Sequence, residues 1–260
     1  METKPPPLTI PNNQGTDLAY RLREGRKDAP TLVFLCGYRS DMMGTKAEFL
    51  DNWAAENNIA YLRLDYSGHG ESGGKFEDGT IGQWYEDALT VIDNVTEGPL
   101  MIVGSSMGGW IGLLVSIKRP ERVKAFLGIA AAPDFTKWVW DHELTEDQRL
   151  ICKRDGFISE ESEFWDTPNI MTMNLFEDGK THLILDKPIP FDGPVTLLHG
   201  KADDEVPYPI AGQIASRLKE GQTKIITIDD GDHRLSRDSD LELLKREIEE
   251  LYKSASLNRR

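Results

Sequence analysis

The sequence is poor in cysteine and contains no long apolar run. Its two cysteines, Cys36 and Cys152, are too few for a disulfide framework, so we expect two reduced thiols. No apolar run reaches the about 20 residues that a transmembrane helix requires, and residues 1–11 lack the apolar core of a secretion signal. These absences predict a soluble globular protein without a membrane span.

Basic residues are also scarce, with 30 Lys and Arg against 44 Asp and Glu and a net charge of −14. Because proteins bind phosphate backbones through clusters of basic side chains, we expect no nucleic-acid partner. The charge disfavours anionic substrates as well, unless Arg39, Arg63 or Lys137 lies near the binding pocket. The five histidines show no metal-ligand spacing, and H-E-x-x-H and C-x-x-C are both absent, so we expect no metal and no other cofactor.

Short runs of branched apolar residues alternate with segments of helical period along the chain. This alternation is typical of an α/β fold in which a mostly parallel central sheet is flanked by helices. It predicts a single domain over residues 1–260. The predicted strands span residues 18–23, 31–36, 59–65, 100–104, 125–130, 195–199 and 224–228, and the predicted helices span 45–57, 82–95, 106–118, 210–218 and 240–253.

Residues 134–190 interrupt the alternation, with several tryptophans, many acidic residues and no clear strand. Long insertions in compact domains often form lids or binding loops, so we expect a helical cap over one edge of the sheet. Its apolar and aromatic side chains suggest an acyl-binding site, although the same residues fit an ordinary cap core equally well. They are Phe135, Trp138, Trp140, Phe164, Trp165, Met171 and Met173.

A G-x-S-x-G motif spans residues 104–108, between an apolar run and a segment of helical period. A strand, a sharp turn and a helix are the context in which this motif presents a serine nucleophile above a sheet. Ser106 occupies the nucleophile position of the motif. Ser105 is the local competitor, but it stands at the wrong place in the pattern.

A serine hydroxyl needs a base to take its proton, and with this motif an acid and a histidine follow in that order. Asp203 follows the predicted strand 195–199, with Asp204 beside it as the alternative acid. His233 is the only histidine after both the serine and the acid. We therefore predict that Asp203 orients His233, which exchanges the proton with Ser106. The remaining histidines, His69, His142, His182 and His199, are expected to be structural.

Acyl transfer also needs hydrogen-bond donors for the oxyanion of the tetrahedral intermediate, and backbone N–H groups supply them without reorganisation. One donor is expected from Met107, directly after the nucleophile. The second is expected from Tyr38, in the loop after the predicted strand 31–36.

These segments resemble the α/β-hydrolase superfamily over nearly the whole chain. The resemblance is carried by the motif at 104–108, by Asp-Tyr-Ser-Gly-His-Gly-Glu-Ser at 65–72 and by the acid loop at 199–207. Residues 36–42, 65–68, 104–110 and 197–204 are similar to a mitochondrial abhydrolase-domain subgroup of palmitoyl-protein thioesterases and acyl-glucuronide esterases. The resemblance implies Ser106, Asp203 and His233 as catalytic residues, with Tyr38 and Met107 as oxyanion donors.

The chain departs from that resemblance at two places. Many superfamily members carry His-Gly where this chain has Cys36-Gly37, which matters little because the expected donor is backbone. The N-terminal residues also lack a cationic, serine-rich leader, so we expect a cytoplasmic location.

The combined prediction is a serine hydrolase of carboxylic esters or thioesters, acting on a small molecule or an S-acylated protein. Palmitoyl-type thioesters and acyl esters, including acyl glucuronides, are the expected substrates. The alternatives are a short-chain carboxylesterase and another reaction of the same fold, such as acyl transfer or C–C hydrolysis. A binding module without activity is disfavoured because all three catalytic residue types are present.

Overall fold

The computed structural model describes residues 6–161 and 168–257, which fold around an eight-stranded sheet. Within these residues the strands are β1 (Leu8–Pro11), β2 (Asp17–Arg23), β3 (Thr31–Leu35), β4 (Tyr61–Leu64), β5 (Leu100–Ser105), β6 (Val123–Ile129), β7 (Phe157–Glu160), β8 (Asn169–Thr172), β9 (Val195–Gly200) and β10 (Thr223–Ile228). The helices are α1 (Thr45–Glu56), α2 (Ile81–Val95), α3 (Met107–Lys118), α4 (Phe135–Trp138), α5 (Glu146–Asp155), α6 (Met173–Gly179), α7 (Pro209–Arg217) and α8 (Asp238–Leu257).

The strand order in the main sheet is β1-β2-β4-β3-β5-β6-β9-β10. Strands β1, β2 and β4 pair in antiparallel fashion, and the pairs from β4 to β10 are parallel. Strands β3 and β5 are buried along their whole length, as continuous apolar runs predict for parallel strands covered on both faces. The prediction of an α/β-hydrolase fold with a mostly parallel sheet is confirmed.

Helices cover both faces of the sheet. Because parallel crossovers are right-handed, α1 lies on the opposite face from α2 and α3, and α8 packs beside α1. Helix α2 begins after Thr80, whose hydroxyl accepts a hydrogen bond from the Gln83 N–H at 3.2 Å. Helix α5 begins with a reciprocal capping box between Thr145 and Gln148.

Residues 134–190, the cap segment, contain α4, α5 and α6 together with a hairpin of β7 and β8. The expectation of no strand in this segment is therefore wrong. The hairpin strands have four residues each, and the large apolar side chain of Phe157 is 45% exposed, so no buried apolar run marks them in the sequence. The cap segment is anchored to α2 by the Asp178 carboxylate, which accepts the Gly82 N–H at 2.7 Å.

Strand β1 was also absent from the prediction. It is a four-residue edge strand, ends at Pro11 and is mostly exposed, which explains its weak apolar signal. Both cysteines are buried free thiols, as expected. Among the helices of the described residues, none combines the length and apolar character needed to cross a membrane.

Candidate active site

Ser106 lies in the sharp turn between β5 and α3, with φ of 53°. A positive φ is unfavourable for a residue with a side chain, so the surrounding structure must impose it. The Ser106 N–H donates to the Ile129 carbonyl at 2.9 Å, and the Ser106 carbonyl accepts the Ala132 N–H at 3.1 Å. These bonds to β6 and to the loop after it hold the strained turn in place.

Two glycines make this turn possible. A Cβ on Gly104 would overlap the backbone of Gly108, and a Cβ on Gly108 would overlap the backbone of Leu35. The motif glycines therefore permit the close approach of β5, α3 and β3 that places the serine.

His233 lies between the predicted nucleophile and the predicted acid. Its Nε2 is 3.0 Å from Ser106 Oγ, and its Nδ1 is 2.9 Å from Asp203 Oδ2. The three residues follow the carboxyl ends of β5, β9 and β10, which meet at one edge of a parallel sheet. The structure thus brings Ser106, His233 and Asp203 into one hydrogen-bonded chain.

The Asp203 carboxylate is fully buried and surrounded by donors. Its Oδ1 accepts the N–H groups of Glu205 at 3.0 Å and Val206 at 2.8 Å. Its Oδ2 also lies 3.2 Å from Nε2 of His199. Burial alone would raise the pKa of Asp203, but the hydrogen bonds from His199 and His233 outweigh it and hold this pKa below its ordinary value. The carboxylate is therefore ionised at neutral pH.

The loop after β3 passes directly over the nucleophile. A Cβ on Gly37 would lie 3.3 Å from the Ser106 Cβ, so the backbone that leads into Tyr38 faces the serine. Met107 is the first residue of α3, where backbone N–H groups have no partner within the helix. Both predicted oxyanion donors thus belong to backbone beside Ser106.

The side chain of Tyr38 connects this loop to the cap segment. Its hydroxyl donates to the Ile170 carbonyl of β8 at 3.1 Å, and its ring makes edge contacts with Phe76 and Phe135. Burial raises the pKa of the Tyr38 phenol, which therefore stays protonated and able to donate.

The alternative residues lie apart from the chain of hydrogen bonds. Ser105 is the buried last residue of β5, and Asp204 is exposed. His69 is buried against Tyr66, and burial lowers its pKa to about 4. His142 is exposed and stacks on Trp138, while His182 lies 3.6 Å from Asp178. By contrast, His199 is buried, and its Nε2 contacts the carboxylate of Asp203.

Two clefts meet at Ser106. One, the polar cleft, has a volume of about 590 Å³, and the other, the apolar cleft, has a volume of about 410 Å³. Residues lining only the polar cleft include Arg39, Asp41, Lys46, Glu161, His233 and Arg234. Residues lining only the apolar cleft include Phe135, Trp138, Val139, Leu144, Met171 and Ile210. Both clefts are lined by Tyr38, Ser106, Glu160, Asn169 and Glu205.

Only some of the aromatic and sulfur-containing side chains expected at an acyl site line the apolar cleft. Phe135, Trp138 and Met171 do so, whereas Trp140 packs against Phe176 inside the cap segment. Met173 contacts Cys152 there, with the two sulfur atoms 3.9 Å apart. Phe164 and Trp165 lie outside the described residues.

The three basic residues considered for anion binding differ in their surroundings. Arg39 lines the polar cleft. Arg63 is buried and paired with Glu48 and Asp51 at 2.9 and 3.0 Å, and Lys137 pairs with Asp141. Sequence reasoning missed Glu160, Asn169 and Glu205. Glu160 and Asn169 belong to the hairpin, which carries no sequence signal, and Glu205 stands in the acid loop without a pattern that marks it.

Comparison with known proteins agrees with this geometry. Residues 27–151 match the family described as Serine aminopeptidase, S33. The chain is 35% identical over 243 residues to human "Palmitoyl-protein thioesterase ABHD10, mitochondrial", covering 92% of this chain and 78% of that protein. The structure of alpha/beta hydrolase domain-containing protein 10 from mouse matches with a TM-score of 0.87 and 32% identity, covering 95% of this chain and 98% of the mouse chain.

A putative hydrolase from Agrobacterium vitis is similar as well, with a TM-score of 0.89 and 38% identity over 95% of this chain and 97% of the other. The fold and the arrangement at Ser106 define an α/β hydrolase. The chain belongs, within that superfamily, to the family of the ABHD10 proteins, and it is a serine hydrolase.

The comparison corrects one prediction. The expectation of a cytoplasmic location is wrong, since the relatives from cattle, orangutan, human, mouse and rat are all named as mitochondrial proteins and point to that compartment.

Proposed function

We propose that the chain hydrolyses carboxylic esters and thioesters through an acyl-enzyme, with Ser106, His233 and Asp203 as its catalytic triad. The observation that carries the proposal is the continuous chain of contacts, 3.0 Å from Ser106 Oγ to His233 Nε2 and 2.9 Å from His233 Nδ1 to Asp203 Oδ2. This is the geometry in which an imidazole takes a proton from a serine and an ionised carboxylate stabilises the resulting imidazolium.

The reaction proceeds in two halves. Ser106 Oγ attacks the substrate carbonyl carbon while its proton passes to His233 Nε2, and the oxyanion accepts hydrogen bonds from the Tyr38 and Met107 N–H groups. Collapse breaks the bond to the leaving alcohol or thiol, which takes the proton from His233. Water then attacks the acyl-enzyme, its proton passes to His233, and collapse releases the carboxylic acid and returns the proton to Ser106.

The apolar cleft is assigned to the acyl group. It begins at Ser106 and is lined by aliphatic and aromatic side chains, which favour a hydrocarbon chain, together with the carboxylates of Glu143 and Asp204. The names of the mammalian relatives, palmitoyl-protein thioesterases, support S-acyl thioesters of the palmitoyl type as the substrate class. Acyl esters, including acyl glucuronides, present the same carbonyl chemistry to Ser106.

The test is turnover of matched esters and thioesters from acetyl to palmitoyl by the wild type and by two serine variants. Ser106→Ala is expected to lower kcat by about 10⁴-fold or more, because no nucleophile remains. Ser105→Ala, one residue away, is expected to keep most of the activity. Retained turnover in Ser106→Ala would refute the mechanism. A maximum at short esters would instead support a carboxylesterase, and absence of hydrolysis in the wild type would favour another reaction of the fold.

A further inference from the structure

If Ser106 and His233 act as proposed above, the acyl group and the leaving group of the substrate lie in different clefts. The inference rests on that proposed function. His233 lines the polar cleft but not the apolar cleft, whereas Met107 lines only the apolar cleft. A general acid must reach the atom that it protonates, so the leaving group lies on the side of His233. The polar cleft is therefore the leaving-group site.

Asn169 lies where the two clefts join. It is the first residue of β8, pairs with Glu160 across the hairpin and lines both clefts. Its Oδ1 is buried and has no hydrogen-bond partner among the described residues. Buried polar atoms are nearly always paired, because an unpaired acceptor loses its hydration without compensation. An unpaired acceptor on a residue that lines both clefts is explained by a donor that arrives with the substrate.

Two further residues at this junction carry carboxylate acceptors. Glu160 and Glu205 line both clefts, and Glu205 Oε2 lies 3.7 Å from His233 Nε2. The basic residues Arg39, Lys46 and Arg234 line only the polar cleft, and Arg39 donates to the carbonyl of Pro168, directly before Asn169, at 2.8 Å. The acceptors that line both clefts favour a hydrogen-bond donor close to the atom that leaves.

We propose that Asn169 is a substrate-binding residue whose Oδ1 accepts a hydrogen bond from an N–H group a few atoms from the leaving sulfur. The substrate class that fits is a thioester of a thiol bearing an amide, as in an S-acylated cysteine within a peptide. A thiol without such an N–H leaves the Asn169 acceptor unpaired. The site is therefore expected to favour thioesters that carry the N–H over those that lack it.

The test uses a matched pair of thioesters, S-octanoyl N-acetylcysteamine and the same compound methylated on its amide nitrogen. The wild type is expected to hydrolyse the N–H compound with about tenfold higher kcat/KM. Asn169→Ala is expected to remove this preference by slowing only the N–H compound. Asn169→Asp keeps an acceptor of the same size and is expected to keep the preference.

Asn94→Ala is the matched control, since Asn94 is exposed on α2 and lines neither cleft. Circular dichroism checks that the variants fold. Equal rates on the two thioesters in the wild type would overturn the assignment without reference to any variant. A tenfold preference that persists in Asn169→Ala would overturn it as well. Ser106→Ala, measured in parallel, tests the hydrolase mechanism separately, because only turnover in that variant contradicts it.

Discussion

The imidazole of His199 contacts the carboxylate of Asp203, with His199 Nε2 3.2 Å from Asp203 Oδ2. The same oxygen lies 2.9 Å from His233 Nδ1, so two imidazoles share one acceptor atom. His199 Nε2 also lies 2.9 Å from the Val206 carbonyl. His199 thus joins β9, the acid loop and the predicted catalytic carboxylate.

Replacing His199 by leucine should destabilise the fold, and the loss of stability should be larger at neutral pH than in acid. Loss of one hydrogen bond to a buried carboxylate is expected to lower the free energy of unfolding by about 1–3 kcal/mol. The pKa of Asp203 is depressed in the folded protein, so its contribution to stability is present above its unfolded pKa and lost as pH falls through the folded value. Removing His199 raises the folded pKa, so the variant is expected to lose less stability than the wild type as pH falls.

Urea denaturation at neutral and at acid pH checks this expectation. His142→Leu is the control, since His142 is an exposed histidine of the cap segment. A difference in the free energy of unfolding between wild type and His199→Leu that does not change with pH would mean that His199 supports the loop without acting on the carboxylate.

Substitutions at the two adjacent aspartates of the acid loop should have very different effects on kcat. Asp203→Asn is expected to lower kcat by about 10⁴-fold, because an amide neither selects the required imidazole tautomer nor stabilises the imidazolium. Asp204→Asn is expected to change kcat by less than about threefold, since Asp204 is exposed, lines the apolar cleft and is not the carboxylate bonded to His233. Steady-state kinetics on one thioester separates the two, and comparable losses in both variants would contradict the assignment of Asp203.

The length of acyl chain that is accepted should depend on the wall of the apolar cleft. Leu144 is buried in that wall, whereas Leu150 is 57% exposed on α5 of the same cap segment. Leu144→Phe reduces the space for a chain and is expected to move the optimum to acyl groups shorter by a few carbons. Leu150→Phe introduces the same change outside the cleft and should leave the optimum where it is. An unchanged profile in Leu144→Phe would show that the chain binds elsewhere.

The ammonium of Lys46 should make stability depend on pH in the alkaline range. Lys46 donates to the Arg234 carbonyl, next to His233, and burial lowers its pKa to about 8 against the opposing effect of Asp232. The unfolded chain keeps this proton up to about pH 10.4, so between the two values the unfolded state holds more protons. The free energy of unfolding contributed by this group therefore rises with pH across that window.

Lys46→Met removes the group. The free energy of unfolding of the wild type minus that of the variant should therefore rise between pH 8 and pH 10. Urea denaturation at several pH values measures it. Lys118→Met, at the exposed end of α3, supplies the comparison. A difference that is flat with pH would show that the Lys46 proton is held equally in both states.

The sequence predicted the buried part of the fold well. Strands such as β3 and β5 are apolar on both faces, and amphipathic helices such as α2 carry their apolar residues at helical spacing, so each leaves a signal within a few residues. Strand β1 and the hairpin of β7 and β8 are held by pairing with partners, and their short, partly polar strands leave little local pattern.

The residues of the candidate site also differ in how well the sequence predicts them. Ser106 is marked by a motif whose glycines are required by the turn itself, and Asp203 and His233 by their order after predicted strands. Asn169 carries no such mark. Its position beside Ser106 results from how the hairpin packs across the loop that contains Tyr38, which is a contact between segments more than a hundred positions apart.

The hydrogen bond from Tyr38 to β8 couples two parts of the site. Tyr38 contributes backbone to the loop over the nucleophile and its hydroxyl to the hairpin that carries Asn169 and Met171. The hairpin proposed to select the substrate and the loop proposed to stabilise the oxyanion are thus joined by one side chain. A substitution that changes the shape of the hairpin is therefore expected to displace the loop that contains Tyr38 as well. Substrate specificity and turnover rate should then change together in this enzyme.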